Sequence, residues 1–328
     1  MRALVVGLGS IGTRHINNLY RLGITDLCAY RRRNKNTPTK LLAPTVDLYD
    51  DYDKALSTSP DMVIVSNPTA YHLDTAFKAI KAGCNVYIEK PLSHILEGVD
   101  ELVEISRTKC VVCMIGCQLR FDPTLIRIKE WLDGGKIGRV LTAQVDVGEY
   151  LPGWHPWEDY RDSYAASSEM GGGVILTLIH EIDYLYWFFG MPGTIYGVGG
   201  KMTPLEMDVE DTALITMAYP TGITCQLRVD YWRKPAVRRF NIVGEEGELE
   251  WDYYEGRATF RGRGGEEQTH TRHEGWDRND MFLGAMRNFI EAVRSGVEPE
   301  IPLEEGVDVL KIALAAKESI VQKRILTI

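Results

Sequence analysis

The chain has 328 residues, 45% hydrophobic and 25% charged, with a formal net charge of −9. This describes an ordinary globular protein long enough for two domains. The acidic balance argues against nonspecific binding to nucleic acid or an anionic membrane, and no apolar run reaches the ~18 residues of a membrane span. Six cysteines without a disulfide-framework pattern, and no charged-then-apolar leader ahead of Gly7, lead to the expectation of a reducing cytoplasm.

The apolar run Ala3–Val6 reads as a buried strand that stops at Gly7-Leu8-Gly9-Ser10-Ile11-Gly12 and gives way to a helix. This is G-x-G-x-x-G in its strand–turn–helix setting, the signature of a dinucleotide site. Gly7 permits the tight turn, Gly9 lets the backbone approach a pyrophosphate, and Gly12 allows the helix to pack against the strand. Ser10 and Ile11 open the helix, whose N–H groups and positive dipole end suit phosphate.

A second strand, Leu27–Tyr30, runs into Arg31-Arg32-Arg33 with no carboxylate at its end. An acidic residue there would take the ribose 2′-OH of NAD, whereas arginine accommodates the 2′-phosphate of NADP. The expectation is NADP or NAD, with NADP favoured and Arg31 and Arg32 as its ligands; a solvated basic turn is the other reading of the three arginines.

A short helix near Asp53–Ser57, a strand at Met62–Ser66, a helix over Ala70–Ala82 capped near Gly83, a strand at Val86–Ile88, a helix over Leu96–Arg107 and a strand at Val111–Ile115 complete an alternating series. Such alternation implies a doubly wound parallel sheet, a Rossmann domain over residues 1–118. Cys110, Cys113 and Cys117 carry C-x-x-C spacing but lie in an apolar, strand-like run with no second ligand cluster, and the expectation is no metal. His270 and His273, in a charged glycine-rich stretch, read as loop residues. Glu89-Lys90-Pro91 closes the Val86–Ile88 strand, and ligands of open α/β sheets bind beyond the strands' C-terminal ends. A lysine there can stabilise negative charge developing on a substrate oxygen; position alone leaves a surface lysine in a tight turn equally open.

The character changes over residues 119–328. A helix over Pro123–Leu132 ends at Gly134-Gly135, and a strand follows at Val140–Val147. Strict alternation at Cys225–Tyr231, with further strand candidates at Thr212–Tyr219, Arg239–Val243 and Glu248–Asp252, implies a large open, mostly antiparallel sheet. Helices would cover one face, and the other is a candidate surface for a homodimer or homotetramer. A long amphipathic helix spans about Gly306–Lys323. The segment YLPGWHPWEDYRDSY at 150–164 is rich in aromatic rings, which suit the C–H faces of sugars or the packing of a domain junction. Trp154, Tyr160 and Arg161 are candidate substrate contacts, and Arg120, Arg161 and His155 could hold a substrate anion. After Gly171-Gly172-Gly173 comes VILTLIHEIDYLYWFF, read as one apolar helix on which Thr177, His180, Glu181 and Tyr184 share a face. Polar groups on a buried helix need partners or a function. His180 is either a general acid/base or a satisfied core histidine.

Taken together, GLGSIG at 7–12, SNPTAYH at 66–72, EKP at 89–91, LRFDP at 119–123, GGKIGRV at 134–140 and GGG followed by HEID resemble the glucose–fructose oxidoreductase/inositol dehydrogenase (Gfo/Idh/MocA) family over nearly the whole chain. The resemblance implies a Rossmann domain followed by an α/β domain on an open sheet. It also implies hydride transfer between NAD(P) and a hydroxyl or keto carbon of a sugar or sugar derivative, including nucleotide-linked or surface-polysaccharide precursors. It assigns Lys90 and His180 as catalytic residues, adds Asn67, Pro68, His72 and Glu89 to the cofactor contacts, and places Thr177 and Asp183 near substrate. Many members carry an aspartate on the turn before the histidine, where this chain has Thr177; Asp183 or Glu181 could stand in for it. Lys90 and His180 are expected to converge on one pocket between the domains. A nucleotide-binding sensor and an NAD-assisted glycosidase or lyase are the rival readings.

Overall fold

The computed structural model describes residues 1–31 and 41–328. The chain begins β1 (Arg2–Val6), α1 (Ser10–Arg21), β2 (Asp26–Tyr30), β3 (Asp47–Tyr49), α2 (Tyr52–Leu56), β4 (Met62–Val65), α3 (His72–Lys81), β5 (Asn85–Glu89), α4 (Val99–Lys109) and β6 (Cys113–Gly116). Among the described residues these strands form a six-stranded sheet in the order β3-β2-β1-β4-β5-β6. Every neighbouring pair is parallel. Both faces are covered, so the central strands are apolar without alternation: Ala3–Val5 and Met62–Val65 have no exposed surface. The order reverses between β1 and β4. That is the topological switch point at which such sheets open a crevice beyond the strand ends, and Gly7 and Ser66 follow those two strands.

The next elements are α5 (Pro123–Asp133), β7 (Val140–Gly148), α6 (Val174–Thr177), α7 (His180–Phe189), β8 (Thr194–Gly200), β9 (Thr212–Ala218), β10 (Thr224–Asp230), β11 (Val237–Gly244), β12 (Gly247–Asp252), β13 (Arg257–Gly262) and β14 (Glu267–Thr271). Two helices, α8 (Asn279–Ser295) and α9 (Leu303–Gln322), and a short β15 (Leu326–Thr327) finish the chain. The second sheet has nine strands in the order β14-β13-β12-β11-β7-β10-β9-β8-β15. Among the described residues of this sheet only β7 and β10 pair in parallel; the other neighbours are antiparallel.

Packing divides the chain into two compact units. Arg278–Leu310, which the sequence reading assigned to the second domain, groups with Met1–Gln118, and Lys311–Ile328 groups with Leu119–Asp277. In the second unit, one sheet face is buried through Cys225, Leu227, Val229, Phe240 and Trp251. Trp251 Nε1 donates to Thr124 Oγ1 of α5 at 2.8 Å, and Tyr184 of α7 packs against Phe240 at 5.4 Å between ring centroids. The opposite face carries exposed Tyr196, Val198 and Leu214.

One expectation needs correction. Residues 174–189 do not form a single helix: Leu178 leaves helical geometry at φ −95°, ψ 38°, ending α6, and α7 restarts at His180. Thr177 therefore lies on a different helix from His180, Glu181 and Tyr184, and the shared-face argument fails for it. Every residue from Val174 to Leu185 is buried, so the segment follows the shape of the core rather than a one-sided helical period.

Candidate active site

The three loop glycines divide into two kinds. Gly7 has φ +99°, and a Cβ there would stand 2.8 Å from Asn67 N and Ser66 O. A Cβ on Gly12 would collide with the carbonyl oxygen of Gly7. Both positions are closed to any side chain by the protein itself. Gly9 is different: its φ of −79° suits any residue, and a Cβ there would meet nothing within 4 Å. Nothing in the protein requires glycine at that position, so its bare backbone is explained by the close approach of a ligand. No side chain caps α1, and its hydrogen-bond ladder begins only at Thr13, whose N–H donates to Gly9 O, so the N–H groups of Ser10, Ile11 and Gly12 suit an anion. The loop thus fits the pyrophosphate of a dinucleotide.

Around it, Ser66 Oγ donates to the carbonyls of Val6 and Gly7, both at 3.0 Å. Asn67 Nδ2 donates to Thr75 Oγ1 at 2.8 Å, and Pro68 opens a turn of 3-10 helix at Thr69–Tyr71. His72 is buried, with Nδ1 2.8 Å from Pro91 O and Nε2 2.8 Å from Asn67 O; both ring nitrogens are engaged within the protein rather than offered to a cofactor. Glu89 likewise turns inward, its Oε1 2.7 Å from Nε2 of buried His15. Lys90 follows β5 at the edge of the sheet that also carries the glycine loop. Arg31 closes β2, its N–H donating to Tyr49 O at 3.0 Å. Arg32 and Arg33 lie outside the described residues.

In the second unit, His180 opens α7 and is 4% exposed. The two carboxylates that could have replaced the missing aspartate are committed to arginines. Asp183 is gripped by Arg120 through both oxygens, at 3.0 and 2.7 Å, in a pair with side-chain exposures of 0% and 2%. That pairing argues against the expectation that either residue binds substrate. Glu181 lies 3.0 Å from Arg238, which also approaches Glu149 at 3.3 Å. Burial opposes the charge on Arg238, yet Glu181 and Glu149 outweigh it and hold its pKa above the ordinary arginine range. Thr177 faces Tyr231, a fully buried phenol. Burial pushes the Tyr231 pKa well up, against the pull of the Thr177 contact. Trp154 packs edge-on against Tyr231 at 5.6 Å, which brings one aromatic residue of the 150–164 segment to the Thr177 turn.

The remainder of that segment is occupied otherwise. Arg161 is bound to Asp159 and Glu206, Tyr160 OH accepts the Glu206 N–H at 3.0 Å, the His155 ring lies tilted against Trp157 at 5.1 Å between centroids, and Trp157 is 64% exposed. Three residues escaped the sequence reading. His15 and Arg238 carry no local signal, because their partners are distant in sequence. Tyr231 was legible only as the last member of an alternating strand.

A glycine loop of this geometry on a parallel, doubly wound sheet defines a dinucleotide-binding protein, and comparison with known proteins agrees. Residues 1–117 match the family model for the oxidoreductase family with an NAD-binding Rossmann fold, and residues 125–250 match the GFO/IDH/MocA C-terminal domain. Myo-inositol 2-dehydrogenase of Thermotoga maritima is 27% identical over 338 residues, spanning 99% of this chain and 97% of that protein. The 1,5-anhydro-D-fructose reductase of Ensifer adhaerens is 28% identical over 266 residues, covering 78% and 76%. Among solved structures, levoglucosan dehydrogenase in complex with NADH and levoglucosan superimposes with a TM-score of 0.88 at 16% identity, over 100% of this chain and 99% of that one. The chain belongs to the Gfo/Idh/MocA family. It is an NAD(P)-dependent dehydrogenase or reductase. No helix among the described residues is long and apolar enough to cross a membrane.

Proposed function

We propose that this enzyme interconverts a hydroxyl and a keto group on a cyclitol, free sugar or anhydrosugar. The observation that carries the reading is the placement of Lys90 directly after β5, on the sheet edge that bears the glycine loop and its unobstructed Gly9. The relatives named above act on polyhydroxylated rings without phosphate or nucleotide groups. Arg120 and Arg161, the side chains suited to such groups, are already ion-paired, which favours a neutral substrate. The cofactor, when bound, supplies or accepts the hydride at its nicotinamide ring. In oxidation His180 accepts the hydroxyl proton, and Lys90 stabilises the charge that develops on the oxygen as the proton leaves. Thr177 and Tyr231 replace a carboxylate with two hydroxyls and serve to hold a substrate hydroxyl rather than to move a proton. Trp154 offers an aromatic face beside them. Arg31 recognises the 2′-phosphate of NADP, with Arg32 beside it in sequence.

The open face of the second sheet joins two copies of this chain. It combines apolar Tyr196, Val198 and Leu214 with both signs of charge, Arg228 and Arg239 around Asp146 and Arg261 beside Glu248, a mixture that a self-complementary two-fold contact can use.

The test is a panel of myo-inositol, levoglucosan, 1,5-anhydro-D-fructose and common free, phosphorylated and nucleotide-linked sugars. Formation or loss of the reduced cofactor is followed with NAD and NADP separately. An active member should lose ~10²-fold or more in turnover with either Lys90→Met or His180→Asn, while nucleotide affinity holds. A protein that binds nucleotide tightly but turns over nothing in the panel is a sensor, and the proposal fails.

A further inference from the structure

The peptide that carries Lys90 is held at both flanks by a buried histidine. On the N-terminal side, His15 of α1 is 0% exposed and its Nε2 meets Glu89 Oε1 at 2.7 Å. An ionised carboxylate only accepts, and in that pairing Nε2 is the donor. The His15 ring is itself fixed, edge-on to Tyr87 at 5.3 Å and to Phe282 of α8 at 6.5 Å. On the C-terminal side, His72 at the start of α3 reaches Pro91 O through Nδ1 and Asn67 O through Nε2. The next links return to the glycine loop. Asn67 follows Ser66, whose hydroxyl donates to Gly7 O at 3.0 Å, and Gly7 leads into α1, where His15 sits. His72 thus stands between Asn67, beyond the C-terminal end of β4, and Pro91, beyond that of β5.

Both partners of His72 are carbonyl oxygens, and a neutral imidazole has only one N–H to give. Burial, the largest influence on this ring, holds its pKa below the ordinary histidine value, although the two carbonyls and Glu89 pull upward. The single proton therefore serves one arm. The Pro91 contact is buried and the Asn67 contact only partly so. An unsatisfied carbonyl is more costly where water cannot reach it, which puts the proton on Nδ1, facing Pro91.

We propose that His15 and His72 are positioning residues for Lys90, fixing it relative to the dinucleotide loop through Glu89 and Pro91. This rests on the catalytic reading of Lys90 given above. Neither histidine touches the reacting atoms in this account; each acts by locking the peptide that bears the lysine.

The test exploits the shapes of the amides: a glutamine amide nitrogen reproduces Nε2 of histidine, and an asparagine amide nitrogen reproduces Nδ1. His15→Gln keeps the donor to Glu89 and His15→Leu removes it. His72→Asn keeps the Pro91 arm and His72→Gln keeps only the Asn67 arm. For the most active substrate of the panel, His15→Leu and His72→Gln should lower kcat by roughly ten- to a hundredfold, the scale for losing a supporting contact or a small misplacement of a reacting group. His15→Gln and His72→Asn should retain most of it. The Kd for NADH, read by fluorescence, should stay within about threefold throughout, well below the tenfold or larger effect on turnover. In a Lys90→Met background the same histidine variants should lower the residual rate no further.

If kcat tracks the melting temperature instead of donor geometry, or if the histidine effects persist without Lys90, their role is only structural and the proposal is overturned. If Lys90→Met itself leaves kcat unchanged, the catalytic reading of Lys90 has failed first, and the two failures are told apart.

Discussion

The Arg120–Asp183 pair decides between a structural and a substrate-binding role for two residues that the sequence alone made equally eligible. Both side chains are essentially removed from water, at 0% and 2% exposure, and the guanidinium meets the carboxylate in a two-pronged arrangement. Asp183→Ala leaves a buried guanidinium without its counter-charge, which should destabilise the protein by about 3–5 kcal/mol. For a unit of roughly 150–250 residues each kcal/mol moves Tm by about 2–4 °C, so the expected drop is about 6–20 °C. Arg120→Met combined with Asp183→Leu removes both charges together and should recover most of that loss, because well-packed apolar replacements of a buried ion pair are often neutral. Urea titration of the wild type, both single variants and the double variant closes the cycle and gives the coupling directly. A loss under about 1 kcal/mol for Asp183→Ala, the scale of an exposed pair, together with a raised KM would refute the reasoning and return Asp183 to the substrate site.

Gly9→Ala should fold with an unchanged Tm and weaken NADH binding, while Gly12→Ala should destabilise the protein itself; equal effects on stability, read by thermal melting, would contradict the distinction drawn between them. His72 has its folded pKa held down by burial. The native state therefore binds fewer protons than the unfolded chain below the ordinary histidine value of ~6.5, and stability present above that pH is lost as pH falls toward the folded pKa, by up to ~1.4 kcal/mol per pH unit. His72→Gln should flatten that acid slope in urea titrations at about pH 7.5 and about pH 5.5, and an unaltered slope counts against it. Arg31→Asp should weaken NADP binding by roughly ten- to a hundredfold and favour NAD, as charge-assisted phosphate bonds are worth ~1.5–3 kcal/mol; calorimetry showing tighter NAD binding in the native protein and no change on substitution defeats the 2′-phosphate reading. Light scattering at micromolar concentration should give at least a dimer, and a monodisperse monomer is inconsistent with the sheet-face contact.

The elements that the sequence revealed are those whose burial imposes a period. Ala3–Val6 and Met62–Val65 are continuous apolar runs because helices cover both faces of a parallel sheet, and β10 alternates because only one face of its sheet is packed. Elements without such a period went unseen. In β8 the sequence TIYGVGG interrupts the alternation with three glycines, and the fold closes two of them to a side chain: a Cβ on Gly197 would stand 2.7 Å from Ile320, and one on Gly199 would collide with Thr212 O. The outermost β14, EQTHT, is almost wholly exposed and has no apolar face to declare it. Helix α8 is legible in Met281, Phe282, Ala285, Met286, Phe289 and Ile290, spaced by three and four. No local pattern reveals that it packs with the first unit, because its partners, such as His15, are far away in sequence.

The site shows the same division between local and long-range information. Gly7, Gly9 and Gly12 are recognisable in sequence because one turn imposes all three requirements within six residues. Lys90 is recognisable by its place after a strand. What holds Lys90 in this account comes from positions 15, 72, 89 and 91, gathered only because parallel strands return every loop to the same edge of the sheet. The paired carboxylates follow a similar logic. Asp183 and Glu181 looked like replacements for the aspartate that Thr177 displaces, since all lie within seven residues. The break at Leu178 separates them from Thr177, and Arg120 and Arg238, from distant segments, neutralise them. A buried carboxylate needs a cation or a proton, and here each has its cation. Thr177 and Tyr231, by contrast, bring hydroxyls that carry no charge, and the neutral polyol proposed above rests on that difference.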